Sequence, residues 1–375
     1  MDLYEGITVR LTQFEEYPDL ESRWLTLQQG ADCSFFQSWS WIGCWLECLP
    51  DSVEPFVVEV VENEEPIGLA IVGKKFFLRH HIFRSKILFL NETGSFDFDR
   101  LTIEHNNVLA KKGREVHILN AMIHFLLNCE LDWDELYVSG LKKIDSKGWL
   151  ELDKTFPVNV SERYETPYYF VDLFDLRTRD RDYLAALSRN TRSQIRRALR
   201  VYEKLGAVTI TIADSLDIAL EFFNSLQAMH QSYWQSKGEP GAFCNDFART
   251  FHRCLISRCI PRGEVQLCRI TAGVEEVGYL YSFIKDGYVY FYQSGFNYGT
   301  DFKLKPGFIC HYLAVKHNLE IGSDIYDFLA GGRQYKRSMS THEANMVWLG
   351  VQKKRIKFIV ERKLETVWKK YRFGR

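Results

Sequence analysis

The sequence predicts an α/β protein built of two similar lobes. The chain has 375 residues, which is long for one core, and its 46% hydrophobic content is ample for packed interiors. Strand and helix patterns follow a similar order in both halves. The second half closes as strand, tight loop, helix and strand, an order that α/β domains use to hold a ligand at strand ends and a helix N-terminus.

The first half reads as alternating strands and helices, with a strand over 7–14 and a helix over 21–30 that ends at Gly30. An aromatic helix follows and is terminated by Pro50. The remaining elements are a hairpin over 56–77, a strand over 86–91, a helix over 112–129 and a strand over 135–140. We place the domain boundary after the Tyr-rich segment 162–174.

The second half starts with a basic amphipathic helix over 188–206. Next come a strand over 208–213, helices over 217–238 and 246–260, a meander over 264–296, a helix after Pro306-Gly307 and a last strand over 323–329. The predicted domains are therefore 1–174, 175–350 and a basic amphipathic C-terminal helix in 351–375.

Composition excludes several classes of protein. No apolar run reaches the roughly 18 residues of a membrane-spanning helix, and the start, MDLYEGITVR, lacks the apolar core of a secretory signal. Nine cysteines are scattered without CxxC pairs. Cys44 and Cys48 share a helix face, but no His lies near them in sequence. We therefore expect a cytoplasmic protein with reduced thiols and no metal, against the alternatives of a metal site or a disulfide.

Two segments, 177–204 and 353–375, are strongly basic although the net charge is −1. They suggest polyanionic or membrane-surface partners, unless the long stems merely cover apolar surface. In the first segment Arg189, Arg192, Arg196 and Arg200 form a stripe that suits phosphate or sugar-acid ligands. The second segment either docks on the protein or lies peripherally on the inner membrane face.

A series of residues in the second half resembles a known family. The series is Asn190-Thr191-Arg192, Ile195-Arg196, Gly206, Trp234, Lys237-Gly238, Gly278, Pro306-Gly307, Tyr326-Asp327-Phe328 and Tyr335-Lys336. It resembles the GNAT superfamily, and more closely the acetyltransferase domain of CelD-type cellulose-biosynthesis proteins, which is related to Fem-type peptidoglycan aminoacyltransferases. The resemblance implies two tandem GNAT-like domains, with the C-terminal one transferring an acyl group to an amine or hydroxyl.

The same resemblance implies acetyl-CoA or another acyl-CoA as donor. The GNAT loop that binds the CoA pyrophosphate through backbone N–H groups here reads Lys303-Leu-Lys-Pro-Gly-Phe, in which Pro306 has no N–H and Phe308 replaces a small residue. Gly307 still permits close approach, and Lys303 and Lys305 can neutralise phosphate. The predicted donor-binding residues are Lys303, Lys305, Gly307, Phe308, Gly332, Arg333 and Lys336.

Three residues are candidates for the chemistry. Asp327 is a candidate base, with a structural ion pair to Lys336 or Arg333 as the alternative. Tyr292 is a candidate acid for the leaving thiolate, and core packing is its alternative. The backbone near Ser294 could bind the oxyanion, unless it is a plain turn. The predicted acceptor-binding residues are Arg192, Arg196, Trp234 and Lys237.

The expected acceptor is a sugar, an amino-sugar or a lipid-linked precursor of a bacterial surface polysaccharide, as the resemblance implies. An aminoacyl transferase of the Fem type, using aminoacyl-tRNA, is the first alternative, and nucleic acid is expected only in that role. The second is a non-catalytic GNAT-fold component of a polysaccharide synthesis system. The sequence has no GxSxG motif, which argues against a covalent acyl-enzyme.

Overall fold

The computed structural model describes residues 6–17, 19–79, 83–298 and 304–361, except for the side chains of Arg79 and Phe83. The chain forms two compact units. Unit 1 comprises Met1–Trp39, Leu49–Glu165 and Val347–Arg375, and unit 2 comprises Ser40–Cys48 and Thr166–Met346. Each unit is described by itself below.

Unit 1 contains a mixed sheet and several helices. Its strands are β1 (Ile7–Gln13), β2 (Phe56–Glu62), β3 (Glu65–Arg79), β4 (Phe83–Leu90), β5 (Leu109–Ala110), β6 (Glu135–Lys142), the first part of β7 (Val158–Asp172) and the last part of β13 (His342–Lys353). Its helices are α1 (Leu20–Gln29), α3 (Phe96–Asp99), α4 (Glu115–Asn128), α5 (Lys147–Leu150) and α6 (Leu152–Thr155).

In unit 1 the strands run β1-β2-β3-β4 as an antiparallel meander. Helix α4 then crosses over, so that β6 pairs with β4 in parallel. Alternating apolar residues of β2 and β3 meet the apolar face of α4 in one core, in which Val58, Met122 and Trp133 are fully buried. The predicted hairpin over 56–77 is confirmed, and the strand continues to Arg79.

Unit 2 repeats this order of elements. Its strands are the last part of β7, β8 (Val208–Ile212), β9 (Val265–Ala272), β10 (Glu275–Lys285), β11 (Tyr288–Phe296), β12 (Ile325–Ala330) and the first part of β13. Its helices are α2 (Trp39–Cys48), α7 (Leu173–Thr178), α8 (Tyr183–Ala186), α9 (Arg189–Tyr202), α10 (Leu216–Gln235), α11 (Asp246–Cys259), α12 (Pro306–Glu320) and α13 (Gln334–Met339).

In unit 2 the strands β8 to β11 form an antiparallel meander, α12 crosses over, and β12 pairs with β11 in parallel. The basic helix α9 begins where the sequence predicts, because the Ser188 hydroxyl accepts the N–H of Thr191. Its predicted apolar stripe is confirmed, with Ile195, Ala198 and Tyr202 in the core together with residues of α12.

The limits of the two units differ from the predicted domain ranges. Helix α2 contributes Ser40–Cys48 to unit 2, because Trp41 packs on Phe251 of α11 with ring centroids 4.9 Å apart. The segment 162–174, where the sequence predicts the boundary, lies in β7 as far as Asp172, and its last two residues begin α7. The division between the units falls within this segment, after Glu165. These strands and helices lie far apart in sequence, so local patterns do not show their pairing.

The start of the predicted C-terminal helical region belongs to unit 1. Arg355 and Lys357 both pair with the buried Asp134, at 2.6 Å in each case, and Lys353 lies over the ring of Trp133 at 4.3 Å. The basic charge of residues 353–357 is therefore largely used inside the protein. Residues 362–375, with most of the predicted amphipathic face, lie outside the described residues.

Candidate active site

The parallel strands β11 and β12 diverge in the middle of unit 2. They pair from Tyr288–Ile325 to Tyr290–Asp327. Beyond that point β11 stays with β10, while Ala330 of β12 pairs with Tyr168 of β7. Separation of two parallel strands next to a crossover helix makes a cleft at which a ligand can reach strand ends and the helix N-terminus.

Aromatic rings line the side of this divergence that faces α12. The ring of His311, on α12, lies 4.4 Å from Phe291 and 5.1 Å from Phe328, and it stacks on Tyr335 at 5.4 Å. Phe291 and Phe328 are the first residues after the paired segments of β11 and β12. An imidazole therefore lies over the point where the strands separate.

His311 is buried and neutral. Its Nδ1 lies 3.2 Å from the hydroxyl of Tyr326, and its Nε2 has no hydrogen-bond partner among the residues that the structure describes. Burial, with the charge of Lys336, lowers the pKa of His311 to about 3. A neutral imidazole with one uncompensated nitrogen at a cleft is a candidate for contact with a polar ligand.

Strand β11 carries a bulge at Tyr292. Gln293 faces Tyr281 of β10 and Phe291 faces Ser282, so β11 has one extra residue between them. The ring of Tyr292 lies on the face opposite α12, 5.1 Å from His252. Bulges of this kind turn backbone and side chain away from the regular ladder and are common beside active sites.

The backbone of Ser294 is tied to helix α10. Its carbonyl lies 3.0 Å from Nδ1 of His230, whose Nε2 accepts the N–H of Ala242 at 3.1 Å. These two partners fix the tautomer with the proton on Nδ1. A Cβ at Gly295 would meet the Leu226 carbonyl at 2.5 Å, so the missing side chain lets α10 lie directly on β11.

Two predicted binding residues lie against each other beside this contact. The guanidinium of Arg333, predicted to bind donor, lies 4.8 Å from the ring centroid of Trp234, predicted to bind acceptor. Trp234 also contacts His230, with centroids 6.0 Å apart. Lys237 is exposed and lies over the ring of Tyr233 at 5.8 Å.

Asp327 is fully buried and holds a turn. Its Oδ1 accepts the N–H of Leu329 at 2.7 Å, and Leu329 has a left-handed φ of 61° that a side chain disfavours. Nζ of Lys336 donates to the carbonyls of Ala330 at 2.6 Å and Leu329 at 3.3 Å. These groups shape the end of β12. The base role of Asp327 stays a prediction.

The N-terminus of α12 faces the basic helix α9. Lys305, which has a left-handed φ of 44°, contacts the side-chain oxygen of Gln194 and lies 5.4 Å from the ring of Phe308. A Cβ at Gly307 would meet the ring of Phe296 at 3.2 Å, whereas one at Gly332 would meet open space. Lys303 lies outside the described residues.

The predicted Arg stripe has two kinds of residue. Nη1 of Arg192 donates to the carbonyls of Leu187 at 2.8 Å and Ala185 at 3.1 Å, which supports the end of α8. Burial raises the pKa of Tyr312 on α12, and the charge of the exposed Arg196 opposes this shift. Helices α9 and α12 pack against each other, so Arg196 is a candidate for the surface beside α12.

Unit 1 has a cavity of about 370 Å³ at the corresponding place, where β4 and β6 separate after Phe89 and Tyr137. Glu92 lines it, and the hydroxyl of Ser139 donates to its Oε2 at 2.6 Å. Burial first, and then the charge of Asp99, raise the pKa of Glu92 to about 8. Glu92 is therefore largely protonated at neutral pH.

Sequence reasoning missed His230, His311 and the bulge in β11. The position of His311 could not be predicted, because a buried ring over a strand divergence has no local signature. A bulge depends on the register of two strands, which the sequence of one strand does not contain.

The family comparison decides what unit 2 is. The profile of a family described as "Acetyltransferase (GNAT) domain" matches residues 189–337, from α9 to α13. These residues are similar to a GNAT acetyltransferase domain. The protein is accordingly an acyltransferase, and the prediction of an enzyme is confirmed. No match was found among curated proteins.

Solved structures share the fold over nearly the whole chain. FemX superposes with a TM-score of 0.58 at 10% identity over 87% of this chain and 95% of FemX. L-PGS from Bacillus licheniformis superposes with a TM-score of 0.54 at 10% identity, over 92% of this chain and 94% of L-PGS. The C-terminal domain of a proposed lysylphosphatidylglycerol synthetase from Agrobacterium fabrum superposes with a TM-score of 0.54 at 9% identity, over 88% of this chain and 90% of that domain.

At these identities the solved structures show the fold. The predicted fold class is confirmed: a mixed α/β protein with two GNAT-like domains. The narrower resemblance to CelD-type proteins has no support among these matches. Within the described ranges, the helices are all too short or too polar to cross a membrane.

Proposed function

We propose that the protein transfers an acyl group from a phosphate-bearing acyl carrier, in the first place acetyl-CoA or another acyl-CoA, to an amine or hydroxyl of a sugar or cell-surface polysaccharide precursor. The observation that carries this proposal is the divergence of β11 and β12 beside the N-terminus of α12, with a bulge in β11 at its rim. Acyl transfer needs this combination of a cleft, backbone donors and an anion site.

The reaction forms a bond from the acceptor nitrogen or oxygen to the acyl carbon and breaks the bond from that carbon to the carrier. The tetrahedral intermediate carries an oxyanion, for which backbone N–H groups of the segment 292–294 are the candidates. Asp327 or water would take the acceptor proton, and Tyr292 would protonate the leaving group. Positioning and oxyanion stabilisation would supply most of the rate enhancement.

The carrier phosphates would lie between α9 and α12. Lys305 and the exposed Arg196 supply positive charge there, and Gly307 keeps the first turn of α12 open to close approach. Arg333 on Trp234 lies on the other side of β11, by Ser294 and His230, and is a candidate for the acceptor side of the cleft.

Aminoacyl-tRNA is the second candidate donor. Pro306 removes one backbone donor from the first turn of α12, and the rings around His311 occupy space beside the divergence that a pantetheine arm would need. The folds of FemX and L-PGS are compatible with this donor as much as with CoA. Both carriers present phosphate to the same basic surface.

A donor screen separates the two candidates. Radiolabelled acetyl-CoA and a mixture of aminoacyl-tRNAs are each supplied with amino-sugar acceptors, and transfer to the acceptor is measured. Transfer from one donor and not from the other identifies the carrier. Transfer from neither donor would contradict the proposal.

A further inference from the structure

Three cysteine side chains meet in unit 2, at a place that the acyl-transfer chemistry does not use. The Sγ atoms of Cys44, Cys48 and Cys254 all lie within 4.8 Å of one another. Cys44 and Cys48 are one turn apart on α2, and Cys254 lies on α11. All three are free thiols; Cys44 is buried and the other two are half-buried.

The two helices are held together on both sides of this cluster. On one side, Trp41 packs on Phe251 with centroids 4.9 Å apart, and the thiol of Cys44 points to the Phe251 carbonyl at 3.7 Å. On the other side, Arg258 pairs with Glu47 through both carboxylate oxygens, with Nη1 to Oε1 at 2.9 Å. The three sulfur atoms are thus fixed by contacts that do not depend on a ligand.

We propose that Cys44, Cys48 and Cys254 bind one thiophilic divalent metal ion of the zinc class. A tetrahedral ion with metal–sulfur bonds of about 2.3 Å needs sulfur atoms about 3.8 Å apart, which small side-chain rotations would reach from the present spacing. Three protons leave the thiols on binding, and the fourth position is open to water because two of the cysteines reach the surface.

The surroundings of the three cysteines fit the charge of a bound metal ion. Three thiolates and a divalent ion carry a net charge of −1, and the guanidinium of Arg258, one turn after Cys254, lies beside them. A disulfide would use only two of the three sulfur atoms and leave the third without a role. Buried cysteines that act as plain apolar side chains need not converge on a common point.

The ion would join α2, from the beginning of the chain, to α11. The same two helices carry Trp41 and His252, whose rings lie 6.1 Å and 5.1 Å from Tyr292 at the bulge. Metal binding at the cysteines would therefore restrict the motion of the two rings that pack against Tyr292, the candidate acid. This consequence rests on the proposed function, whereas the metal site itself does not.

The test uses the full-length, fully reduced protein and Cd²⁺ as the probe, because thiolate coordination of Cd²⁺ gives an ultraviolet charge-transfer band. The expected result is one Cd²⁺ per chain, a band that saturates at that ratio, and a raised melting temperature. Cys48→Ser and Cys254→Ser should each weaken binding by about tenfold or more. Cys244→Ser, a half-buried cysteine of unit 2 outside the cluster, should bind as the wild type does.

A second measurement does not depend on the stability of the variants. In the wild type, Zn²⁺ should protect the half-buried thiols of Cys48 and Cys254 from alkylation, and peptide mass spectrometry should identify both. Cys44 is buried and should resist alkylation with or without the ion. Protection of other cysteines, Cd²⁺ uptake that survives Cys48→Ser/Cys254→Ser, or no band at equimolar Cd²⁺ would overturn the proposal. None of these readouts requires transferase activity, so failure of the metal site and failure of the proposed function are distinguishable.

Discussion

The free energy of unfolding should fall at high pH because the buried Glu92 then ionises, and Glu92→Gln is expected to reduce this loss. Burial and the charge of Asp99 raise the pKa of Glu92 to about 8, against roughly 4.3 for an unfolded glutamate. The native state therefore keeps a proton that the unfolded state releases. The free energy of unfolding is unaffected below the unfolded pKa and falls as the pH rises from there to about 8.

The size of the effect follows from the shift. Each pKa unit corresponds to about 1.4 kcal/mol, so the charged form of Glu92 costs on the order of 3–5 kcal/mol above pH 8. Gln keeps an acceptor for the Ser139 hydroxyl, which donates to Oε2 at 2.6 Å, but it cannot ionise. The free energy of unfolding of the variant should match that of the wild type near pH 4 and exceed it near pH 9.

Urea denaturation followed by tryptophan fluorescence at several pH values measures this difference. Glu15→Gln, at an exposed glutamate of the same unit, is the control and should follow the wild type at every pH. Part of the pH dependence should remain in Glu92→Gln, because burial also raises the pKa of Asp99. Parallel curves for the wild type and Glu92→Gln would refute the assignment of a raised pKa to Glu92.

Three further outcomes are expected. Asp327→Asn should keep the turn at the end of β12, since the amide oxygen still accepts the N–H of Leu329. It should therefore reduce the free energy of unfolding by about 1–2 kcal/mol less than Asp327→Ala does. Unchanged turnover in Asp327→Asn would exclude Asp327 as the base. Gly307→Ala should weaken binding of phosphate-bearing donors more than Gly332→Ala, measured by calorimetry, because only the first places a methyl group against a ring. Arg192→Ala should lower the melting temperature, while Arg196→Ala should mainly reduce donor binding at low salt; the reverse pattern would argue against their assigned roles.

Much of the fold could be predicted because the apolar patterns are local. The meander over 264–296, the crossover helix after Pro306 and the basic helix from 188 follow from alternation, turn residues and helical spacing. The boundary is predicted at the Tyr-rich segment 162–174, and the two units divide within it, after Glu165. Its pairing with β12 inside a sheet is not visible in the sequence, because the partner residues lie more than 150 positions away.

The roles of the candidate site residues stay predictions. Arg333, Trp234, Ser294 and Asp327 all lie around the ends of β11 and β12. Of these four, Trp234 and Asp327 belong to the series of residues that carries the family resemblance. The role of Arg192 as a support for α8 could not be predicted, since it needs the position of two carbonyl groups. The convergence of Cys254 with the helix pair Cys44 and Cys48 is likewise a result of tertiary packing.

The way the chain is shared between the two units has a consequence for biosynthesis. Unit 2 needs Ser40–Cys48 and Thr166–Met346, whereas unit 1 also needs residues from Val347 onward. A ribosome therefore releases every residue of the second unit before it releases the last strand of the first. Unit 1 is therefore the unit whose sheet is completed last, and a chain cut after residue 346 would contain every residue of unit 2 but lack the last strand segment of unit 1.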